Sequence, residues 1–217
     1  MIDRKFCLDF LEVAADFENS SLTSFGPGKG SISARDFENQ KVLITPSGMK
    51  FSKLQPEDLI TLNLEGKVLA GSLKPSLDSV FHLAVYNARQ DVGGIVHTHS
   101  PYATAFACMG EPILPLIMSI VLMVGGSVDV AHFAFPGSPE LGTSIVQGLG
   151  KKNAVLMEQH GVLCVGKNLS RALSVAGTVE NVAQIQAISR GLGKLRPLDE
   201  ETIQRGIMFE KNYGQPK

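Results

Sequence analysis

Residues 94–99 read Gly-Ile-Val-His-Thr-His, an apolar run of strand length that ends in two histidines, with helical spacing on either side. Upstream, Leu77, Val80, Phe81, Ala84, Val85 and Ala88 recur at i, i+3, i+4, i+7, i+8 and i+11. That is one face of an amphipathic helix opening at Ser76, with Pro75 just ahead. Downstream, residues 101–109 resume helical spacing. A short apolar strand between two amphipathic helices belongs in a sheet that carries helices packed on it.

The rest of the chain agrees. Residues 3–20 place Phe6, Phe10, Leu11, Ala14 and Phe17 on one helical face. The glycines of residues 26–30 (GPGKG) force a loop. Residues 31–34 and 41–45 read as short strands, Pro46-Ser47-Gly48 as a turn, and Pro56-Glu57-Asp58 as the acidic first turn of a short helix. Ser138-Pro139-Glu140 combines an N-cap, a first-position proline and an early acid, and the helix it starts stops near Gly150. Residues 154–157 and 162–165 are β-rich and flank Gln159-His160-Gly161, and residues 170–190 form a long helix closed by Gly191. Short strands around turns, alternating with helices, predict a mixed sheet. No repeat or linker-like stretch divides the chain, so one domain is expected over 1–217.

Composition narrows the partners. Twenty Lys+Arg against 21 Asp+Glu leave a charge of -1, which predicts neither nucleic acid nor an anionic membrane surface as partner. Cys7, Cys108 and Cys164 are odd in number and lack C-x-x-C pairing, as expected of reduced thiols in a cytosolic protein. Asp3, Arg4, Lys5 and Asp9 leave no apolar core for a signal peptide. The run at 113–124 is broken by Pro115 and Ser119 and falls short of the ~20 residues that cross a bilayer. A soluble, cytoplasmic protein is expected.

Side chains alternate along a strand, so His97 and His99 point the same way, about 6.6 Å apart at the backbone. Two imidazoles at that spacing can share one metal at about 2.0–2.1 Å each, and His160, in the turn between two strands, is available as a third. Asp78 and His82, at i and i+4, share a helix face that could bring a carboxylate to the metal as ligand or base; the alternative is a surface pair. Residues 26–31 and Thr45-Pro46-Ser47-Gly48 are candidate anion-binding loops, with Ser76 adding the positive end of a helix.

Three stretches, residues 74–82 (KPSLDSVFH), 95–101 (IVHTHSP) and 156–162 (LMEQHGV), together resemble the class II aldolase/adducin family. Its members include fuculose- and rhamnulose-1-phosphate aldolases, ribulose-5-phosphate 4-epimerase, methylthioribulose-1-phosphate dehydratase and tetronate-phosphate decarboxylases. Weaker echoes at residues 30–35, 45–48 and 136–141 keep the same order, so the resemblance covers almost the whole chain. It implies an α/β/α layered domain, often a C4 homotetramer with sites between subunits. It also implies a divalent metal, usually zinc, held by His97, His99 and His160, stabilising the enediolate formed on cleavage of a small sugar phosphate. Asp78 falls where the family has its acid/base carboxylate, and Ser31, Ser47, Gly48, Ser76 and Leu77 fall where it holds phosphate.

The sequence departs from the family at several of these positions. Ser31 replaces an asparagine, Leu77 a serine, and Asp78 a glutamate one methylene longer. Phe133 aligns with the tyrosine that gives a proton in some family aldolases; His132, Tyr102 and Tyr213 are the alternative donors. The expected activity is that of a metal-dependent, aldolase-type lyase acting on a small sugar phosphate or related hydroxy-keto compound. The rival readings are an epimerase or decarboxylase of the same family, and a non-catalytic adducin-like binding module. In such a module the histidines would be expected to have eroded, and all three are present.

Overall fold

Among the residues described by the computed structural model (2–23 and 29–212, with side chains to 210), eight strands form one sheet. They are β1 (Ser31–Asp36), β2 (Lys41–Ile44), β3 (Ile60–Asn63), β4 (Val68–Ala70), β5 (Gly94–Thr98), β6 (Val130–Ala131), β7 (Ala154–Met157) and β8 (Gly161–Gly166). The order is β4-β3-β2-β1-β5-β8-β7-β6. Every neighbouring pair is antiparallel except β6 with β7, so the sheet is mixed.

Helices cover both faces, which explains why the central strands are apolar on both sides rather than alternating. Along β5, β7 and β8, Val96, Ala154, Leu156, Val162 and Cys164 join one core, built with α1 (Arg4–Asn19), α3 (Pro101–Met109), α4 (Met118–Val124) and α6 (Leu169–Leu192). Their neighbours Ile95, Val155, Met157, Leu163 and Val165 join a second core under α2 (Ser79–Ala88) and α5 (Pro139–Leu149). The period-2 switch between cores is the α/β/α layering read in residue terms. α7 (Glu200–Asn212) lies against α4.

Several local expectations hold: Ser138 caps α5 by accepting from the Leu141 amide at 3.3 Å, and Gly150 follows its last residue. Others shift. α2 opens at Ser79, because the Ser76 amide donates to the Thr45 carbonyl at 3.1 Å and Pro46 bridges Pro75, holding residues 75–76 extended. Pro56–Asp58 forms a single 3-10 turn. α6 runs through Gly191 to Leu192, its start capped by Asn168 accepting from the Arg171 amide at 2.9 Å.

Candidate active site

β5 delivers the first two histidines as its pleat requires. His97 is buried within the strand, and His99 lies just past its end, half-buried. Thr98 between them faces away and donates its hydroxyl to the Leu22 carbonyl. His97 Nδ1 lies 3.0 Å from the Val162 carbonyl, which can only accept, so Nδ1 carries the proton and Nε2 presents a lone pair. That Nε2 is 3.1 Å from His99 Nε2. His160 comes from the tight turn between β7 and β8, where Gln159 takes the left-handed conformation (φ 55°) and the His160 amide donates to Met157 at 3.0 Å.

The three rings lie 4.7–5.3 Å apart, and their ligand atoms all fall within 4.8 Å of one another. Gly161 makes this convergence possible: a Cβ there would stand 2.6 Å from the Thr98 carbonyl and 2.9 Å from the His99 ring. Phe81 closes the inner side with its ring edge-on to His97 at 5.5 Å. Burial pushes His97 down to about 3 and lowers His99 and His160 as well, so all three imidazoles are neutral at neutral pH with lone pairs to offer. Nitrogens bound tetrahedrally at about 2.0–2.1 Å sit about 3.4 Å apart, so this donor set fits a divalent metal ion.

Asp78 stands at the N-cap position of α2, half-buried, with the Ser76 hydroxyl 3.3 Å from Oδ2. Burial pushes its carboxyl upward. His97 and His82, the Ser31 hydroxyl and His160 pull it down further, and it lies below the ordinary carboxylate range. His82 keeps the expected helical relation to Asp78 but faces β1: Nε2 is 2.9 Å from Ser31 Oγ, and Nδ1 is 2.6 Å from Ser33 Oγ. It is fully buried, and burial pushes it down to about 4.

The structure brings the candidate anion loops together beside the triad. Ser31 is in register with His97 across β1 and β5, the Thr45 amide donates to Ile32 at 3.2 Å, and the Ser47 amide donates to Lys74 at 3.0 Å. Ser47 and Gly48 are exposed, whereas Ser31 and Ser76 are buried with their hydroxyls engaged by His82 and Asp78. Of the glycine-rich loop, residues 26–28 fall outside the described residues, as does Tyr213. Phe133 is exposed, its amide donating to Glu158 at 2.8 Å; His132 is exposed too, and the Tyr102 hydroxyl accepts from Gln184 at 3.4 Å.

A family model described as "Class II Aldolase and Adducin N-terminal domain" matches residues 9–187. The chain belongs to this family. It is 34% identical over 197 residues, 91% of each protein, to the 5-deoxy-D-ribulose 1-phosphate aldolase of Bacillus thuringiensis serovar kurstaki. It is 32% identical over 202 residues to an L-ribulose-5-phosphate 4-epimerase of Salmonella paratyphi C, covering 86% of this chain and 89% of the relative. A solved L-fuculose 1-phosphate aldolase superposes with a TM-score of 0.93 at 28% identity, over 97% of this chain and 98% of that one. The protein is thus a class II aldolase-like enzyme. No helix among its described residues is long and apolar enough to cross a membrane.

Reading the sequence of this class II aldolase-family enzyme missed four site residues. Lys29 places a positive charge that acts on His99. Ser33 and Tyr86 form a buried polar contact at 2.9 Å behind His82. Gly161 is the small residue the triad needs. Ser33 was reachable: it stands two residues from Ser31 on a short strand and therefore on the same face.

Proposed function

We propose that this protein is a cytoplasmic, zinc-dependent lyase of the aldolase type that cleaves a small ketose phosphate, with the whole chain acting as one domain. The observation that carries the reading is the convergence of His97, His99 and His160 at one end of β5, with Asp78 near enough to feel His97 and His160 electrostatically. His97, His99 and His160 hold the metal, and an all-imidazole donor set favours zinc over magnesium. When bound, the ion polarises the substrate carbonyl and offsets the negative charge that develops as the carbon–carbon bond breaks.

Asp78 moves the proton. It accepts the proton of the hydroxyl on the carbon β to the carbonyl; the bond between the α and β carbons breaks, and its electron pair goes towards the carbonyl. The β carbon leaves as an aldehyde, and the proton returns to the α carbon. Ser31, Ser47, Gly48 and Ser76 frame the phosphate end, and Lys29 adds a cation beside it. With Ser31 and Ser76 engaged internally, Ser47, Gly48 and Lys29 are the main contributors to phosphate binding.

One observation favours a second reading, epimerisation. An L-ribulose-5-phosphate 4-epimerase is 32% identical to this chain, and re-addition of the aldehyde to its other face would invert the hydroxyl without releasing product. A panel of phosphorylated and unphosphorylated ketoses, assayed both for aldehyde release and for inversion at the β carbon, separates the two. Aldehyde release from a ketose phosphate is the expected result. Inversion without release selects the epimerase, and neither reaction on any member of the panel overturns the reading.

We also infer a homotetramer with C4 symmetry. The exposed side chains of Leu77, next to Asp78 in the chain, and of Phe133 and Phe135 support an assembly that covers them. Light scattering is expected to give four times the 23.3 kDa of the chain; a monomer in solution would refute it.

A further inference from the structure

The three candidate ligands differ in how the backbone carries them. His97 sits inside β5 and His160 in the turn between β7 and β8, but β5 ends at Thr98 and α3 starts at Pro101, so His99 stands in the short link between them. The pairing of β5 with β8 stops at Thr98, one residue short of it.

Two side chains that neither metal ligation nor phosphate binding accounts for close on this link from its two ends. Thr98 donates its hydroxyl to the Leu22 carbonyl at 2.5 Å and accepts from the Ser100 amide at 3.1 Å. Glu180 reaches across from the middle of α6: one carboxylate oxygen accepts from the Tyr102 amide and the other from the Ala103 amide, each at 2.9 Å. Between these ties lies Pro101, whose ring fixes its own φ at about −65°.

Glu180 does what the local sequence is equipped to do. Ser100 occupies the N-cap position of α3, where a serine hydroxyl ordinarily accepts from the second or third amide of the helix. Here Ser100 Oγ is buried without a hydrogen-bond partner among the described residues, and the amides at those two positions belong to a residue 77 or 78 positions away. Burying a carboxylate is costly unless its oxygens are bonded, and Glu180 is 7% exposed, among the buried Val179, Val182 and Ala183 of the same helix. A tertiary cap in place of a local one ties the start of α3 to a 24-residue helix packed on β5 and β8. It also sets a carboxylate against the positive end of α3, close along the chain to a ligand for a divalent cation.

We propose that Glu180 is a positioning residue for metal binding: together with Thr98 it holds the link from β5 to α3 so that His99 Nε2 meets His97 Nε2, 3.1 Å away, at the spacing a shared ion needs. The role rests on the reading of His99 as a ligand and deepens it, because Glu180 acts on that ligand through the backbone.

The test reads the metal rather than turnover. Zinc affinity of the full-length protein is measured by competition with a chromophoric chelator, and ligand geometry from the visible d–d bands of the cobalt(II)-substituted protein. Glu180→Gln keeps the size of the side chain but turns an NH2 group toward one of the two backbone amides. It should bind zinc about 10- to 100-fold more weakly, the usual cost of losing a group that orients a ligand, and alter the cobalt bands. Thr98→Val should act in the same direction, while Thr98→Ser, which retains the hydroxyl, should stay near the wild type. Gln186→Leu is the control for stability alone. Gln186 is buried on the same helix, accepts from the Leu114 amide at 2.7 Å and donates to the Pro112 carbonyl at 3.1 Å, in a segment that carries no candidate ligand. Its replacement should lower the melting temperature and leave zinc affinity unchanged.

Wild-type affinity and cobalt bands in Glu180→Gln overturn the proposal, as does equal weakening of zinc by Gln186→Leu. Equal affinity of Thr98→Val and Thr98→Ser overturns it too, a comparison that stands even if Glu180→Gln does not fold. His99→Ala separates this outcome from the ligand assignment. If His99→Ala binds zinc like the wild type, the ligand reading falls and the positioning role with it; if it binds weakly while Glu180→Gln does not, the positioning role alone falls.

Discussion

A His97→Ala/His99→Ala double variant is expected to purify without its transition metal and to lose turnover to background. His97 contributes the least replaceable ligand: it is buried in β5, and its Nδ1 proton is fixed on the Val162 carbonyl, so Nε2 is aimed before any ion arrives. Such a partner on the far nitrogen fixes the tautomer and orientation of a ligating histidine. His99 completes a pair of nitrogens 3.1 Å apart, and without both the single imidazole of His160 remains. Elemental analysis should find about one metal per wild-type chain and essentially none in the variant. Chelation should lower the melting temperature of the wild type, because an ion bound only to the folded state stabilises it by mass action. The double variant should be insensitive to chelator. Because His97→Ala also empties buried volume, His99→Ala alone, at a half-buried position, separates metal loss from core damage. Full metal retention in the double variant would sink the ligand assignment.

What could be read in advance followed the range over which each residue's structure is decided. β5 and α5 were legible because their signals are local: an apolar run, a serine cap with proline behind it, a glycine stop. The start of α2 was not, since residues 75–76 are held extended by a bridge to Pro46, some thirty positions earlier in the chain. β6, two residues long, and β4, three exposed residues, carry too little pattern of their own; their partners in the sheet make them strands. α4 hid in an apolar run broken by Pro115, and α6 continues one residue past the exposed Gly191, where a glycine costs only about 1 kcal/mol.

The site divides along the same line. The triad was visible because strand alternation places His97 with His99, and a histidine in a tight β-turn is conspicuous. The relation between Asp78 and His82 was legible as helix geometry, but the partners of His82 lie on β1, a tertiary contact that no i,i+4 rule contains. The serines read as phosphate ligands illustrate the same limit. Ser31 and Ser76 do lie beside the triad, yet both are buried, and their hydroxyls serve His82 and Asp78. Which hydroxyl is free for a ligand depends on what the fold has already used.

Asp78→Asn is expected to keep the metal and lose turnover by about 10²–10⁴-fold, the usual worth of a positioned acid/base group. The substitution preserves size and removes basicity, so the three histidines keep their geometry while the proton acceptor is lost. The fold prepares the carboxylate for this role. The carboxyl lies below the usual range despite the cost of burial, and a cation held by the neighbouring histidines would act in the same direction. A base that must be ionised to act loses activity as the pH falls through its folded-state value. With that value depressed, turnover should persist further into acid than an unperturbed aspartate near 3.9 would allow, wherever the metal stays bound. Wild-type turnover in Asp78→Asn would refute Asp78 as base. Loss of the metal instead would make it a ligand first, with the fourth coordination position belonging to the protein rather than to the substrate.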